Sequence, residues 1–208
     1  MTTTAFQFIF DRAESIQWDK TATVAQTVSR DNTVRSVSRG AQTWRFTVRL
    51  PDGMPWQEMR PFIEEAVTAD RFTVGNVQIN HAGYNTWLTN YQGNCADATS
   101  FVATATQGWA NVTLTANAAI TSGSKFRAGD IIQLGGAGNV YTVANTVSSS
   151  SNTVYLNRAV RDATGSYALR VGPDVYWQVI CTQLPTYTIT GYKQVTWSGE
   201  FVFLEARE

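Results

Sequence analysis

The chain is poor in the residues that most chemistry requires. Its 208 residues include one histidine, His81, and two cysteines, Cys95 and Cys181. A single histidine excludes a histidine-pair metal site, and the wide separation of the cysteines is not a metal-type spacing. The cysteines read as two small core residues in a reducing compartment. No Gly-x-Ser-x-Gly elbow occurs, so a serine nucleophile would depend on His81 in Asn80-His81-Ala82-Gly83. A lone histidine beside a turn reads as structural. Charge is scarce too: charged residues make up 15%, with 16 basic residues against 16 acidic ones. Grip on nucleic-acid phosphates, or on an anionic membrane, calls for a basic excess, and neither partner is expected. No apolar run approaches the ~18 residues of a membrane-spanning helix. The start MTTTAFQFIFDRAES lacks the charged region and cleavage site of a secretory signal, so the chain is expected to stay in the cytosol until something carries it out.

What is present is apolar and prone to form strands. Hydrophobic residues make up 43%, enough to bury a core in one large domain or two small ones. Residues 42–50 alternate cleanly. Trp44, Phe46, Val48 and Leu50 face one way, and Thr43, Arg45, Thr47 and Arg49 the other, as in a sheet with one buried and one wet face. Arg45, Thr47 and Arg49 thereby become the candidate face for solvent, a partner subunit or a channel. Phe6, Phe8 and Phe10 are expected on one side of an opening strand. Between 55 and 67 the rhythm changes, and Trp56, Met59, Phe62, Ile63, Ala66 and Val67 recur at helical steps. This predicts the chain's one helix, with Pro61 moving its main start to near Arg60. Short strands are expected at 72–74, 77–79 and 84–88.

Composition shifts between Cys95 and Gly172 towards Ala, Thr, Ser, Gly and Asn, and only Trp109 of the seven tryptophans lies there. Short strands at 100–106, 111–116, 130–134, 140–143, 153–156 and 167–171 indicate a small all-β barrel or sandwich. Aromatic density returns after Pro173. Val175, Trp177, Val179 and Cys181 alternate, as do Trp197, Phe201 and Phe203 if a bulge sits at Ser198-Gly199. The ends resemble each other more than either resembles the middle. The expected organisation is a discontinuous domain, 1–93 with 174–208, interrupted by a β module at 94–173, with the two junctions close in space.

Candidate chemistry is thin. Gly135-Gly136-Ala137-Gly138 looks like a phosphate loop, but strand-like segments flank it on both sides and no Gly-Lys-Ser/Thr follows. A phosphate loop needs a helix after the glycines, so a hairpin turn is expected instead. Asp97, Asp130 and Asp162 all fall near turns, and Asp130 is expected to accept hydrogen bonds from its own turn. Glu64 and Glu65 read as a solvated helix face. Tyr141 and Tyr155 could stack on sugar rings, with packing into the barrel the expected role. No catalytic, metal or cofactor residue is assigned.

The order of parts, together with Ala128-Gly129-Asp130-Ile131-Ile132 followed by Val140-Tyr141-Thr142-Val143 and the strand at 40–50 leading into the helix, resembles the distal tail protein of long-tailed bacteriophages. That resemblance implies a mainly β fold with one helix, a β-sandwich or barrel ring-forming domain interrupted by a small OB-like β-barrel. It implies a non-enzymatic virion component, assembled in the host cytoplasm. Its hexameric ring would join the tail tube protein to the baseplate hub protein and pass DNA through its channel. The inserted module would project outward and could contact carbohydrate or side fibres. The alternative function is a carbohydrate- or receptor-binding β-module protein.

Overall fold

A computed structural model of the chain, describing residues 4–20, 24–38, 43–69, 73–79, 88–95, 100–115, 123–136 and 139–206, opens with a helix where a strand was expected. Helix α1 spans Thr4–Asp11 and buries Ala5, Phe6, Ile9 and Phe10. The phenylalanine spacing of two is also a spacing of four between Phe6 and Phe10, one helical turn apart. The apolar pair Ala5 and Ile9 completes a helical stripe that a strand would have split across two faces. Phe8 lies off that stripe and stacks flat on Phe62 at 3.7 Å between ring centroids.

Strands β1 (Ser15–Asp19), β2 (Val24–Val28), β3 (Val34–Ser38), β4 (Arg45–Arg49) and β5 (Met54–Pro55) lead into helix α2, Trp56–Ala69. This second helix is continuous through Pro61 rather than starting after a separate turn. Pro61 is exposed, so the Gln57 carbonyl left without its helical partner lies on the wet side, where water can serve it. Met59, Ile63, Ala66 and Ala69 form the buried stripe, whereas Val67, one position past it, is exposed. Strand β6 (Gly75–Val77) follows. Thr73 and Val74 are not in a strand, and the strand expected at 84–88 falls almost wholly outside the described residues, as does His81.

The middle of the chain carries β7 (Val102–Ala105), β8 (Asn111–Leu114), β9 (Ser124–Phe126), β10 (Ile131–Leu134), β11 (Val140–Thr142), β12 (Val147–Ser148), β13 (Thr153–Tyr155) and β14 (Gly165–Val171). The last part carries β15 (Trp177–Gln183), β16 (Thr186–Ile189), β17 (Gln194–Ser198) and β18 (Phe201–Glu205). The fold is mainly β. Two units divide it: Met1–Gly75 with Val179–Glu208, and Asn76–Gln178. The cuts fall inside β6 and β15, earlier in the first half than the composition shift near Cys95.

In the first unit the main sheet has the order β1-β4-β18-β15, continued at its far edge by β6. Helix α1 lies on the face carrying Phe46 and Phe203. Phe6 meets Phe203 edge-on at 5.2 Å, and Phe10 meets Phe46 at 5.7 Å. Such rings supply much apolar area and favour tilted packing. A three-stranded sheet, β16-β17-β5, and a separate two-stranded sheet, β2-β3, complete this unit. No bulge joins Trp197 to Phe201. A turn at Gly199, with φ of +105°, separates β17 from β18, and these belong to different sheets.

The second unit has a six-stranded sheet, β11-β10-β14-β7-β8-β13, and a small β12-β9 pair. The edge strands β11 and β13 are joined past their ends by a bridge between Val143 and Leu156, and the Ala144 and Asn157 amides donate across it to Tyr155 and Thr142. The sheet thus wraps round Phe101, Phe126, Ile132, Tyr141, Val154 and Val171. Wrapping also covers strand edges that would otherwise be open. The Gly172 backbone, at a φ of +60°, lies against Thr89 and Tyr91. A Cβ there would sit 2.9 Å from the Thr89 carbonyl oxygen.

Candidate functional site

The alternation of β4 survives in three dimensions. Phe46 and Val48 are fully buried, and Trp44 and Leu50 are buried beside the strand. Arg45 and Arg49 are exposed, with Thr47 half-buried between them. What the alternation could not supply is the identity of the neighbours. Across β1, Arg45 faces Asp19, Thr47 faces Gln17 and Arg49 faces Ser15. Across β18, Thr47 faces Val202 and Arg45 faces Leu204, and Gln183 of β15 then faces Val202.

These side chains form an open groove of about 430 Å³ on the outer face of the sheet, lined by Gln17, Asp19, Arg45, Thr47, Gln183, Gly199, Glu200 and Val202. Its apolar floor is Val202, only 8% exposed. Arg45 and Thr47 come together here. Arg49 does not line the groove, and its Nε sits 3.5 Å from Glu14 Oε2 in an exposed ion pair, worth little to stability. Two carboxylates, Asp19 and Glu200, share the groove with one guanidinium, Arg45. Lys20, next to Asp19, reaches the Trp44 ring at 5.5 Å. Burial holds its ammonium below the usual lysine range. Asp19, Gln183 and Glu200 escaped sequence reasoning because pairing register brings them in, and no local pattern encodes it.

The candidate catalytic groups are occupied by structure. Asp130 Oδ2 accepts from the Arg127 amide at 2.8 Å and Oδ1 from the Gln92 amide at 2.9 Å. It holds its own turn, and burial raises its carboxyl above the usual range. Asp162 accepts from Asn139 Nδ2 and Tyr141 Oη. Glu65 is not simply solvated. Its carboxylate takes the Thr4 amide at 2.8 Å and the Thr4 hydroxyl at 2.9 Å, closing the start of α1. Asp97 lies outside the described residues. Tyr141 is fully buried, but Tyr155 is half-exposed, not packed inside, and Trp109 is 61% exposed.

The glycine run joins β10 to β11, which pair antiparallel. Gly135 takes a φ of +59° there, while residues 137–138 are outside the described set. Cys181 is buried and Cys95 half-buried, and both are free. Among the described residues no group of three or more His, Cys, Asp or Glu could hold a metal, and no helix is long and apolar enough to cross a membrane. No protein-family model and no curated protein matches the chain.

Proposed function

We infer that this protein is a structural subunit of a phage tail tip, a distal tail protein whose copies close into a hexameric ring between tail tube and hub. The groove on the outer face of the first unit's sheet is the observation that carries this reading. It has an apolar floor, amide and hydroxyl walls and charges of both signs, the mixture expected of a surface that a neighbouring subunit covers. Ring closure by rotation needs two different surfaces on each copy, and the edge of β1 beside this groove, which pairs with no strand among the described residues, adds backbone groups to one of them. Zero net charge suits a channel through which DNA passes without sticking. The role is non-enzymatic and the site of action is the virion, with assembly in the host cytoplasm. Native mass measurement of the purified chain tests it: a six-fold species supports the ring, and a monomer at all concentrations removes it.

A second reading, a module for carbohydrate or receptor, is favoured by Trp109 and Tyr155, both at least half exposed. Tyr155 faces Asn111 on the neighbouring strand. The run 98–124 contains no charged residue, so this sheet face offers rings, hydroxyls and amides, which suits a neutral sugar better than an anion. Binding to neutral polysaccharide that is lost in Trp109→Ala and Tyr155→Ala would support it. Equal retention of the parent chain and both variants would exclude it.

A further inference from the structure

The strands of the hairpin β2-β3 pair with each other, Val24 with Ser38 through Val28 with Val34, and with no other strand among the described residues. Residues 27–35 are all exposed. Val28 and Val34, directly opposite one another, are 65% and 60% exposed. A two-stranded hairpin alone is marginal in water, and an exposed valine pair makes it an open apolar surface. Its tip is nevertheless well built. The Ser29 amide donates to the Thr33 carbonyl at 3.0 Å, Asn32 adopts a φ of 59°, and the Asp31 carboxylate accepts from the Ser29 and Thr33 hydroxyls. The tip is held in shape before anything binds it, which lowers the cost of docking.

The charges of this arm complement those of the groove. Asp31 is tied into the tip, leaving Arg30 and Arg35 as exposed cations. The groove offers Asp19 and Glu200 against Arg45, and Val202 as an apolar floor for the valine pair. No described residue of the arm lines the groove of its own chain, and residues 27–35 are exposed.

We propose that the β2-β3 arm of one copy seats in the Gln17–Val202 groove of the next, with Arg30 and Arg35 meeting Asp19 and Glu200. The occupant is a second copy of this chain. The inference rests on the ring reading above, since it supplies the two dissimilar surfaces that head-to-tail closure requires. Opposite charges set the register and hasten encounter, while valine on valine supplies the apolar contact.

A charge swap in the full-length chain tests this. Arg30→Glu with Arg35→Glu, and separately Asp19→Lys with Glu200→Lys, are each expected to weaken assembly by about tenfold or more in native mass spectrometry and sedimentation. The four-fold combination is expected to restore it. Thermal melts of every variant, with an arm replaced by a Gly-Ser linker as a further chain, separate lost assembly from lost folding. A parent chain that forms rings while the arm-replaced chain forms them equally well overturns the arm proposal and leaves the ring standing. Failure of the four-fold chain to recover, when it melts normally, overturns the charge pairing. A parent chain that never assembles overturns both.

Discussion

Tyr141 donates a 2.6 Å hydrogen bond to Asp162 from within the core of the second unit. The same hydroxyl accepts from the Arg161 amide at 2.8 Å, and the Arg158 guanidinium lies over the ring at 5.2 Å. Burial first, and then the bond to Asp162, push the phenol well above its usual range. Tyr141→Phe leaves a backbone amide and a carboxylate oxygen each short of a partner. A loss of roughly 2–4 kcal/mol is expected in urea unfolding. A change under about 0.5 kcal/mol would mean that water replaces the hydroxyl and the network is not cohesive.

The glycine turn gives a sharp contrast between neighbours. Gly135 has a φ of +59°, and a Cβ there would lie 3.2 Å from Tyr167 Cδ1, whereas a Cβ on Gly136 meets nothing within 4 Å. Gly135→Ala is expected to cost about 1 kcal/mol or more, and Gly136→Ala a few tenths. Neither variant nor the parent chain should bind ATP in calorimetry. Saturable binding lost in Gly136→Ala would restore the phosphate-loop reading.

The two faces of β4 separate stability from assembly. Trp44→Ala should lower unfolding free energy by roughly 3–5 kcal/mol, the cost of emptying a large buried aromatic site. Arg45→Glu with Arg49→Glu should change it by less than about 1 kcal/mol, because both side chains are exposed. Native mass spectra of the second variant should show rings at least as strong as the parent's, because Arg45→Glu adds a carboxylate to the groove that Arg30 and Arg35 meet. A double-arginine variant that melts early as a monomer would place these side chains in the fold rather than at an interface.

Cys181 offers a pH test of the first unit. Burial pushes its thiol up to about 11 from 9.0. Below pH 9 both folded and unfolded chains hold the proton and the contribution is constant. Between 9 and 11 the unfolded chain releases it while the folded chain keeps it, so stability falls as pH rises. The stability of the parent chain relative to Cys181→Ala should therefore decline across that window. In a Cys95→Ser background, thiol reagent at pH 8 should label Cys181 only on unfolding. Fast native labelling would show that the strand opens locally.

Much of the mainly β fold and one face of the candidate site were legible from local pattern. In 42–50 the period-two alternation is unbroken over nine residues, and over 43–50 burial follows it because a strand can show only two faces. Six strands of the second unit lie within a few residues of their expected places, since turn residues punctuate them. Phe6 to Phe10 was ambiguous: its phenylalanines fit period two and one helical turn alike, and only Phe46, Phe203 and Phe62 as packing partners select the helix. Pro61 was misjudged because the helix penalty depends on whether the stranded carbonyl reaches water, which the surrounding fold decides.

The groove was beyond any local reading. Gln17, Thr47, Gln183, Glu200 and Val202 come from four separate stretches, and strand register between β1, β4, β18 and β15 brings them together. Sequence by itself determined which side chains of each strand could share a face, because backbone geometry sets that alternation. Only the tertiary structure decided which strands are neighbours, that Arg49 turns to Glu14 while Arg45 joins the groove, and that β2 and β3 pair with each other as a hairpin. Those are outcomes of long-range pairing, where free energy depends on partners far away in the chain.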